Sequence, residues 1–315
     1  MAAAPIARRS SKESVFKLSA IEKKPDTFQA KLRAYAGMIK ISHTLFALPF
    51  ALSAVVLASR HHPPTPSNLF WILMAMVGAR SAAMGFNRIV DASIDGKNPR
   101  TKNREIPAGS LGTEAVALFV AASSLLFILA AGMLGKLPLM LSVPVLLALF
   151  AYSYTKRFTW LCHLYLGFSI SLAPLGAWIA LTGNFSWSIC LLSLALMTYI
   201  AGFDILYACQ DFEFDRKSGL YSIPASLGLD NALFFSSGLH VISFALFATI
   251  HVAFAMGPVY QGTVLLIGVL LVVEHRLVDA NDLSYINIAF FHVNSAISVL
   301  LFLGIFADEM LRIYL

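Results

Sequence analysis

The sequence predicts an all-α integral membrane protein with about nine transmembrane helices. Two observations carry that prediction. Of 315 residues, 58% are hydrophobic and only 13% are charged, whereas a soluble domain carries about 25% charged residues. The hydrophobic residues also gather into runs long enough to cross a bilayer core of roughly 30 Å as helices. These runs lack the polar–apolar alternation of a membrane barrel, and closed backbone hydrogen bonding then leaves the helix as the element.

In chain order the runs lie near 36–59, 68–90, 114–135, 137–155, 161–182, 187–209, 232–256, 259–274 and 286–307. The third and fourth are divided only by Gly135-Lys136. Ahead of the first run, residues 1–33 carry Arg8, Arg9, Lys12, Lys17, Lys23 and Lys24 with no apolar core, so they predict a basic tail rather than a secretory signal. The expected division is therefore 1–33 as tail and 34–315 as transmembrane domain. Pro49 and Pro174 fall inside runs and are expected to kink them.

Basic residues set the expected orientation. The loops after the second, fourth, sixth and eighth runs hold Lys97, Arg100, Lys102, Arg104, Lys156, Arg157, Arg216, Lys217 and Arg276, against Arg60, Lys136 and Arg312 on the other side. The positive-inside rule then places the N-terminus and the charged loops in the cytoplasm. The net charge of +6 reflects this bias, so no nucleic-acid partner is expected. Cys162, Cys190 and Cys209 fit neither a metal spacing nor a disulfide frame.

Two acidic ladders carry the chemistry. Asn87, Asp91 and Asp95 recur every four residues in "NRIVDASIDGKNPRTKNREIP", on one face of the second helix if it continues through them. In "DILYACQDFEFDRKSG", Asp204, Tyr207, Asp211 and Asp215 share a face at the end of the sixth. Asn87, Asp91 and Asp95 stand 120 residues ahead of Tyr207, Asp211 and Asp215, which suggests a parallel pseudo-repeat with both ladders on one side of the membrane. Paired carboxylates are hard oxygen donors suited to Mg²⁺. The surrounding Arg100, Lys102, Arg104, Lys156, Arg216 and Lys217 suit phosphate oxygens. Acids, metal and cations together are what a diphosphate requires.

These residues resemble the UbiA family of intramembrane aromatic prenyltransferases. The resemblance rests on "NRIVDASIDGKNPRTKNREIPAG", on "YACQDFEFDRKSGLYSIPASLG", and on Tyr152 and Lys156 in "YSYTKR", a Tyr-x-x-x-Lys signature. It implies a UbiA-like fold around a central cavity, with Mg²⁺-assisted transfer of a prenyl chain from a polyprenyl diphosphate to an aromatic acceptor. The 4-hydroxybenzoate branch of ubiquinone synthesis is the nearest likeness. "NIAFFHVNSAIS", residues 287–298, is similar to the menaquinone group that acts on 1,4-dihydroxy-6-naphthoate. The resemblance implies metal ligands at Asn87, Asp91, Asp95, Asp211 and Asp215, with Asp211 also the catalytic base. It further implies diphosphate contacts at Tyr152 and Lys156, and a bacterial inner membrane in preference to a mitochondrial one.

Further residues enter as expectations. Arg80 either grips an acceptor carboxylate or pairs structurally with Asp204, because an ionised group inside a membrane is costly without a role. Lys40 either contacts diphosphate or snorkels to the interface. His43 is expected to pack or line the cavity, and Phe86, Phe203 and Tyr207 are aromatic faces for an allylic cation. In "EHRLVDANDLS", Glu274, His275, Arg276, Asp279 and Asp282 are expected in a solvated loop or a cover. A secondary transporter is the competing reading, since it shares helix number and repeat, but it has no use for the Tyr-x-x-x-Lys signature.

Overall fold

A computed structural model describes residues 27–40, 46–280 and 282–314. The expected basic residues between 1 and 26, and His43, lie outside these. Among the described residues, twelve α-helices run in order: α1 Phe28–Ile39, α2 Leu48–Ala58, α3 Pro66–Asp95, α4 Thr113–Leu134, α5 Lys136–Thr155, α6 Cys162–Thr182, α7 Trp187–Ala208, α8 Phe212–Lys217, α9 Ile223–Leu227, α10 Leu229–Ala253, α11 Pro258–Arg276 and α12 Asn294–Tyr314. A 3₁₀ turn, Cys209–Asp211, joins α7 to α8, and a π-helical segment, Ile288–Val293, leads into α12. Eight helices among the described residues are long and apolar enough to span a membrane, α7 being counted with its extension to Lys217. The short α2 lies in the remaining expected run, the first, and the protein is an all-α integral membrane protein.

The first apolar run departs from the expectation of one continuous helix. It divides into the end of α1 and the eleven-residue α2. At α1's C-cap, Lys40 takes φ 45°, a left-handed conformation that side chains with a Cβ disfavour. The expected tail boundary at residue 33 falls within α1. Pro49 starts α2 rather than kinking it, because a first-turn proline loses no hydrogen bond. Pro174 does lie inside its helix, α6.

Helix length explains where the acids stand. The 30-residue α3 rises about 45 Å at 1.5 Å per residue, so its last turns extend beyond a hydrocarbon core of roughly 30 Å. A capping box of Thr65 and Asn68 with Pro66 in the first turn fixes its other end. Between α4 and α5 only Gly135 intervenes, with φ 136° and ψ 177° that a side chain would strain.

The centre of the bundle is α7, 67% of whose apolar window is buried, against 17–44% for the other spans. Its buried Ile189, Leu192, Leu196, Tyr199 and Ile200 join a core that also draws on α2, α6, α10, α11 and α12. Small residues allow the close approach that membrane helices need: a Cβ at Gly167 on α6 would collide with the carbonyl oxygen of Met197 on α7. Leu118, Leu125, Leu147, Val241 and Leu265 stand exposed on outer faces, where lipid rather than water is the solvent. The site opens at the end of the bundle where α3 and α7 finish.

Candidate active site

One cavity of about 150 Å³ lies between the ends of α3, α5 and α7. Both ladders line it: Asn87, Asp91 and Asp95 from α3, and Asp204, Tyr207, Asp211 and Asp215 from α7 and its extension. The 3₁₀ turn tightens the chain just before α8, and Asp211 and Asp215 remain on the cavity side through that change. Arg100, Arg104, Tyr152 and Lys156 complete the predicted residues that line it.

Each of the four ladder carboxylates beyond Asp204 has a cation of its own. Arg104 Nη1 donates to both Asp95 oxygens, at 2.7 and 2.8 Å. Arg157 Nη2 donates to Asp91 Oδ1 at 2.8 Å and to the Val90 carbonyl at 2.9 Å. Arg100 grips Asp211 through Nε at 2.9 Å and through a second, shorter bond from Nη2. Lys156 Nζ stands 3.5 Å from Asp215 Oδ1. The pairing crosses the cavity. The loop after α3 sends Arg104 to the first ladder and Arg100 to the second, and the end of α5 sends Arg157 to the first and Lys156 to the second.

Successive tight turns aim the loop cations. Thr101 N–H donates to the Asn98 carbonyl and Arg104 N–H to that of Thr101, while the Thr101 hydroxyl donates to the Asp95 carbonyl at 3.1 Å. Asn98 Nδ2 adds a bond to Asp211 Oδ1 at 2.9 Å, and Asn87 Nδ2 one to Asp91 Oδ2 at 2.8 Å. Arg100 Nη1 also donates to the Tyr207 hydroxyl at 2.8 Å. Burial opposes the Arg100 charge, but the bonds and charge of Asp211 outweigh it and raise its pKa.

Asp204 is set apart. Its Oδ2 is 2.7 Å from His163 Nδ1, and His163 Nε2 accepts from the Ile223 N–H at 3.3 Å. A neutral imidazole that accepts on Nε2 carries its proton on Nδ1 and donates it to Asp204. Among the described residues, Asp204 therefore has one hydrogen-bonding neighbour, where Asp211 has two.

Several predicted residues stand elsewhere. The Arg80–Asp204 pair does not form, because Arg80 Nη2 donates instead to the carbonyls of Ile39 and Lys40, at 3.4 and 3.1 Å. Arg88 reaches the Met38 carbonyl from the same helix, so two α3 arginines sit on the negative end of α1. Lys40 does not line the cavity; burial, then the nearby Arg104, Arg88 and Arg100 charges, lower its pKa from 10.5 to about 8. Arg216 and Lys217 follow Asp215 on α8 and so turn about 100° and 200° away from it. Arg216 lies over the Phe212 ring and Lys217 pairs with Glu213 at 3.3 Å, both exposed. Lys102 is likewise exposed. Phe86 stacks on Phe150 and does not line the cavity.

Asn98, His163 and Arg157 were missed from the sequence. Arg157 adjoins Lys156 in "YSYTKR", and Asn98 lies in the same run of charge as Arg100. His163 carries no local signal, since its partner is 41 residues away.

The donor chemistry suits Mg²⁺: four carboxylates and an amide oxygen, all hard, line one cavity. They are not drawn into a ready cage. No group of three or more His, Cys, Asp or Glu among the described residues converges on one point, because each acid is turned to its own cation.

A family model described as the UbiA prenyltransferase family matches residues 47–296. A 4-hydroxybenzoate octaprenyltransferase from Nitrosomonas europaea is 29% identical over 299 residues, which are 91% of this chain and 98% of that protein. One from Yersinia enterocolitica is 29% identical over 295 residues, 91% and 100% of the two chains. Among solved structures, the apo form of a UbiA homologue from Aeropyrum pernix matches with a TM-score of 0.77 at 31% identity, covering 84% of this chain and 98% of that one. A UbiA homologue from Archaeoglobus fulgidus bound to GPP and Mg²⁺ shares the fold, with a TM-score of 0.67 at 17% identity over 87% of this chain and 99% of that one.

Proposed function

Because the chain belongs to the UbiA prenyltransferase family, we propose that this prenyltransferase moves a polyprenyl chain from an allylic diphosphate to the ring of 4-hydroxybenzoate, in quinone synthesis. The observation that carries the reading is the meeting of two acidic ladders with Arg100, Arg104 and Lys156 around one cavity at the end of α3 and α7. The names of the bacterial relatives support the acceptor and a bacterial inner membrane. The bias of basic residues supports a cytoplasmic site.

Asn87, Asp91 and Asp95 on one side and Asp211 and Asp215 on the other would hold Mg²⁺. Bound there, it supplies positive charge against the growing charge of the leaving diphosphate. Arg100, Arg104, Lys156 and Arg157 then turn from the carboxylates to the phosphate oxygens, which suit the arginine forks. The C1–O bond breaks toward an allylic cation, and a ring carbon ortho to the phenol attacks it. Tyr207, lining the same cavity, carries Phe290 stacked on its ring and the Arg100 guanidinium over it, so its ring faces that cation once Arg100 has turned to phosphate. Two features favour Asp204 over Asp211 as the acceptor of the displaced ring proton. Asp211 is gripped on both oxygens, whereas Asp204 is held, among the described residues, by the His163 N–H alone. His163 thereby orients the base.

The test is transfer from radiolabelled prenyl diphosphate in membranes that contain the protein, with and without EDTA. Parallel reactions offer 4-hydroxybenzoate and 1,4-dihydroxy-6-naphthoate. An EDTA-sensitive product on 4-hydroxybenzoate is expected; product on the naphthoate alone would reassign the acceptor. Asp91→Ala and Asp215→Ala are expected to abolish turnover in folded protein, and wild-type turnover in either would remove the metal assignment.

A further inference from the structure

The last helix begins with an irregularity that the proposed chemistry leaves unused. A π-helical segment occupies Ile288–Val293. Such a one-residue insertion turns the chain before it by about 100° relative to the helix after it, and it frees carbonyls from their usual partners. Asn294 supplies a donor. Its Nδ2 bonds to the carbonyls of Ala289 and Phe290, both at 3.1 Å, and to Glu274 Oε1 at 2.7 Å. Glu274, expected in a solvated loop, instead lies on α11 and is 0% exposed, as is Asn294. Its second oxygen is 3.5 Å from His240 Nδ1 on α10. A carboxylate sealed among membrane helices is costly, and its place wants a reason.

The segment it steadies faces the active site. The Phe290 ring stacks on Tyr207 with centroids 4.1 Å apart. Tyr207 accepts from Arg100 through its hydroxyl, and Arg100 grips Asp211. A continuous set of contacts thus runs from the buried pair to the loop after α3.

We infer that Glu274 and Asn294 are positioning residues for the diphosphate end of the site. Their hydrogen bond holds the π segment, so that Phe290 backs Tyr207 and Tyr207 fixes Arg100. Relaxed to a regular α-helix, the segment would rotate Phe290 off the Tyr207 ring and leave Arg100 with one support fewer. The inference rests on the proposed use of Arg100 and Asp211 toward diphosphate.

The experiment compares Asn294→Leu, Glu274→Leu, Glu274→Gln and Phe290→Leu in purified full-length protein. Hydrogen–deuterium exchange is followed beside steady-state transfer kinetics. Asn294→Leu and Glu274→Leu are expected to speed exchange in peptides spanning 97–104. They should also raise KM for the prenyl diphosphate on the order of tenfold, with KM for the acceptor unchanged. Glu274→Gln, which retains the acceptor oxygen, rescues both readouts. Phe290→Leu disturbs no buried polar group, reproduces the effect on the loop, and adds nothing when combined with Asn294→Leu. Unchanged exchange over 97–104 in both Asn294→Leu and Phe290→Leu, with effects confined to 285–296, overturns the inference. If Asn294→Leu does not fold, Phe290→Leu decides alone. Exchange is measured without turnover, so a wild-type protein that transfers nothing defeats the proposed function and leaves this test intact.

Discussion

Asp91 illustrates how the site is balanced at the level of single residues. Its carboxylate is held by Asn87 and Arg157, one from its own helix and one from the turn after α5. Arg157→Leu removes the only ion-pair partner, among the described residues, of a carboxylate whose side chain is 11% exposed. The metal-free protein is expected to lose on the order of 2 kcal/mol, the scale of a bond to a charged group left unmade. It should also bind Mg²⁺ more tightly, because a competitor for the carboxylate has gone. A thermal melt and a Mg²⁺ activation curve check the two halves, and weaker Mg²⁺ activation would contradict the pairing. Lys40 allows a test by pH. Its folded pKa of about 8 lies below the usual 10.5, so between those values the unfolded chain holds a proton that the folded one has lost. Stability should then rise with pH across that window relative to Lys40→Met, and the cost of burying the charge should be fully present below it. Flat relative stability from pH 8 to 10 would argue against that burial. The ladders themselves were legible in the sequence because a four-residue spacing is a property of one helix. Arg157 on Asp91 and His163 on Asp204 were not, since neither spacing nor composition says which distant residue will meet an acid.

Elements show a similar contrast. Long apolar runs announce themselves, and eight became helices close to their expected limits. The run at 36–59 did not, because hydropathy registers apolar character and is blind to a left-handed residue such as Lys40. Glu274 was expected at the edge of the eighth run and His275 beyond it for the same reason: charge ends the apolar run, while the helix continues to Arg276. Contact between elements depends on what is absent as much as on what is present. Gly167→Ala would press a methyl group into the Met197 carbonyl and force α6 from α7. A cost of about 2 kcal/mol is expected from such overpacking, visible as a lower unfolding midpoint in detergent. An unchanged midpoint would show that the two backbones have room to part.

Across the whole molecule, the fold separates two solvents. Exposed leucines and valines cover its flanks, α7 runs through the centre, and the acid-lined cavity lies at one end. Four of that end's acids are each paired with a cation, and the pairing governs how the site can be filled. A metal ion arriving alone must take a carboxylate from an arginine or lysine and strand that cation in a half-buried place. A diphosphate arriving alone must take the cation and strand the carboxylate. Arriving together, they exchange partners with the protein, and nothing is left unmatched. Calorimetry should therefore find weak heats when Mg²⁺ or a non-hydrolysable prenyl diphosphate analogue is titrated singly, and strong mutual enhancement when one follows the other. Independent binding of the two would show that the cations do not move. On this view the resting protein is quiet toward the free ions and free phosphates around it, and responds only to their conjunction.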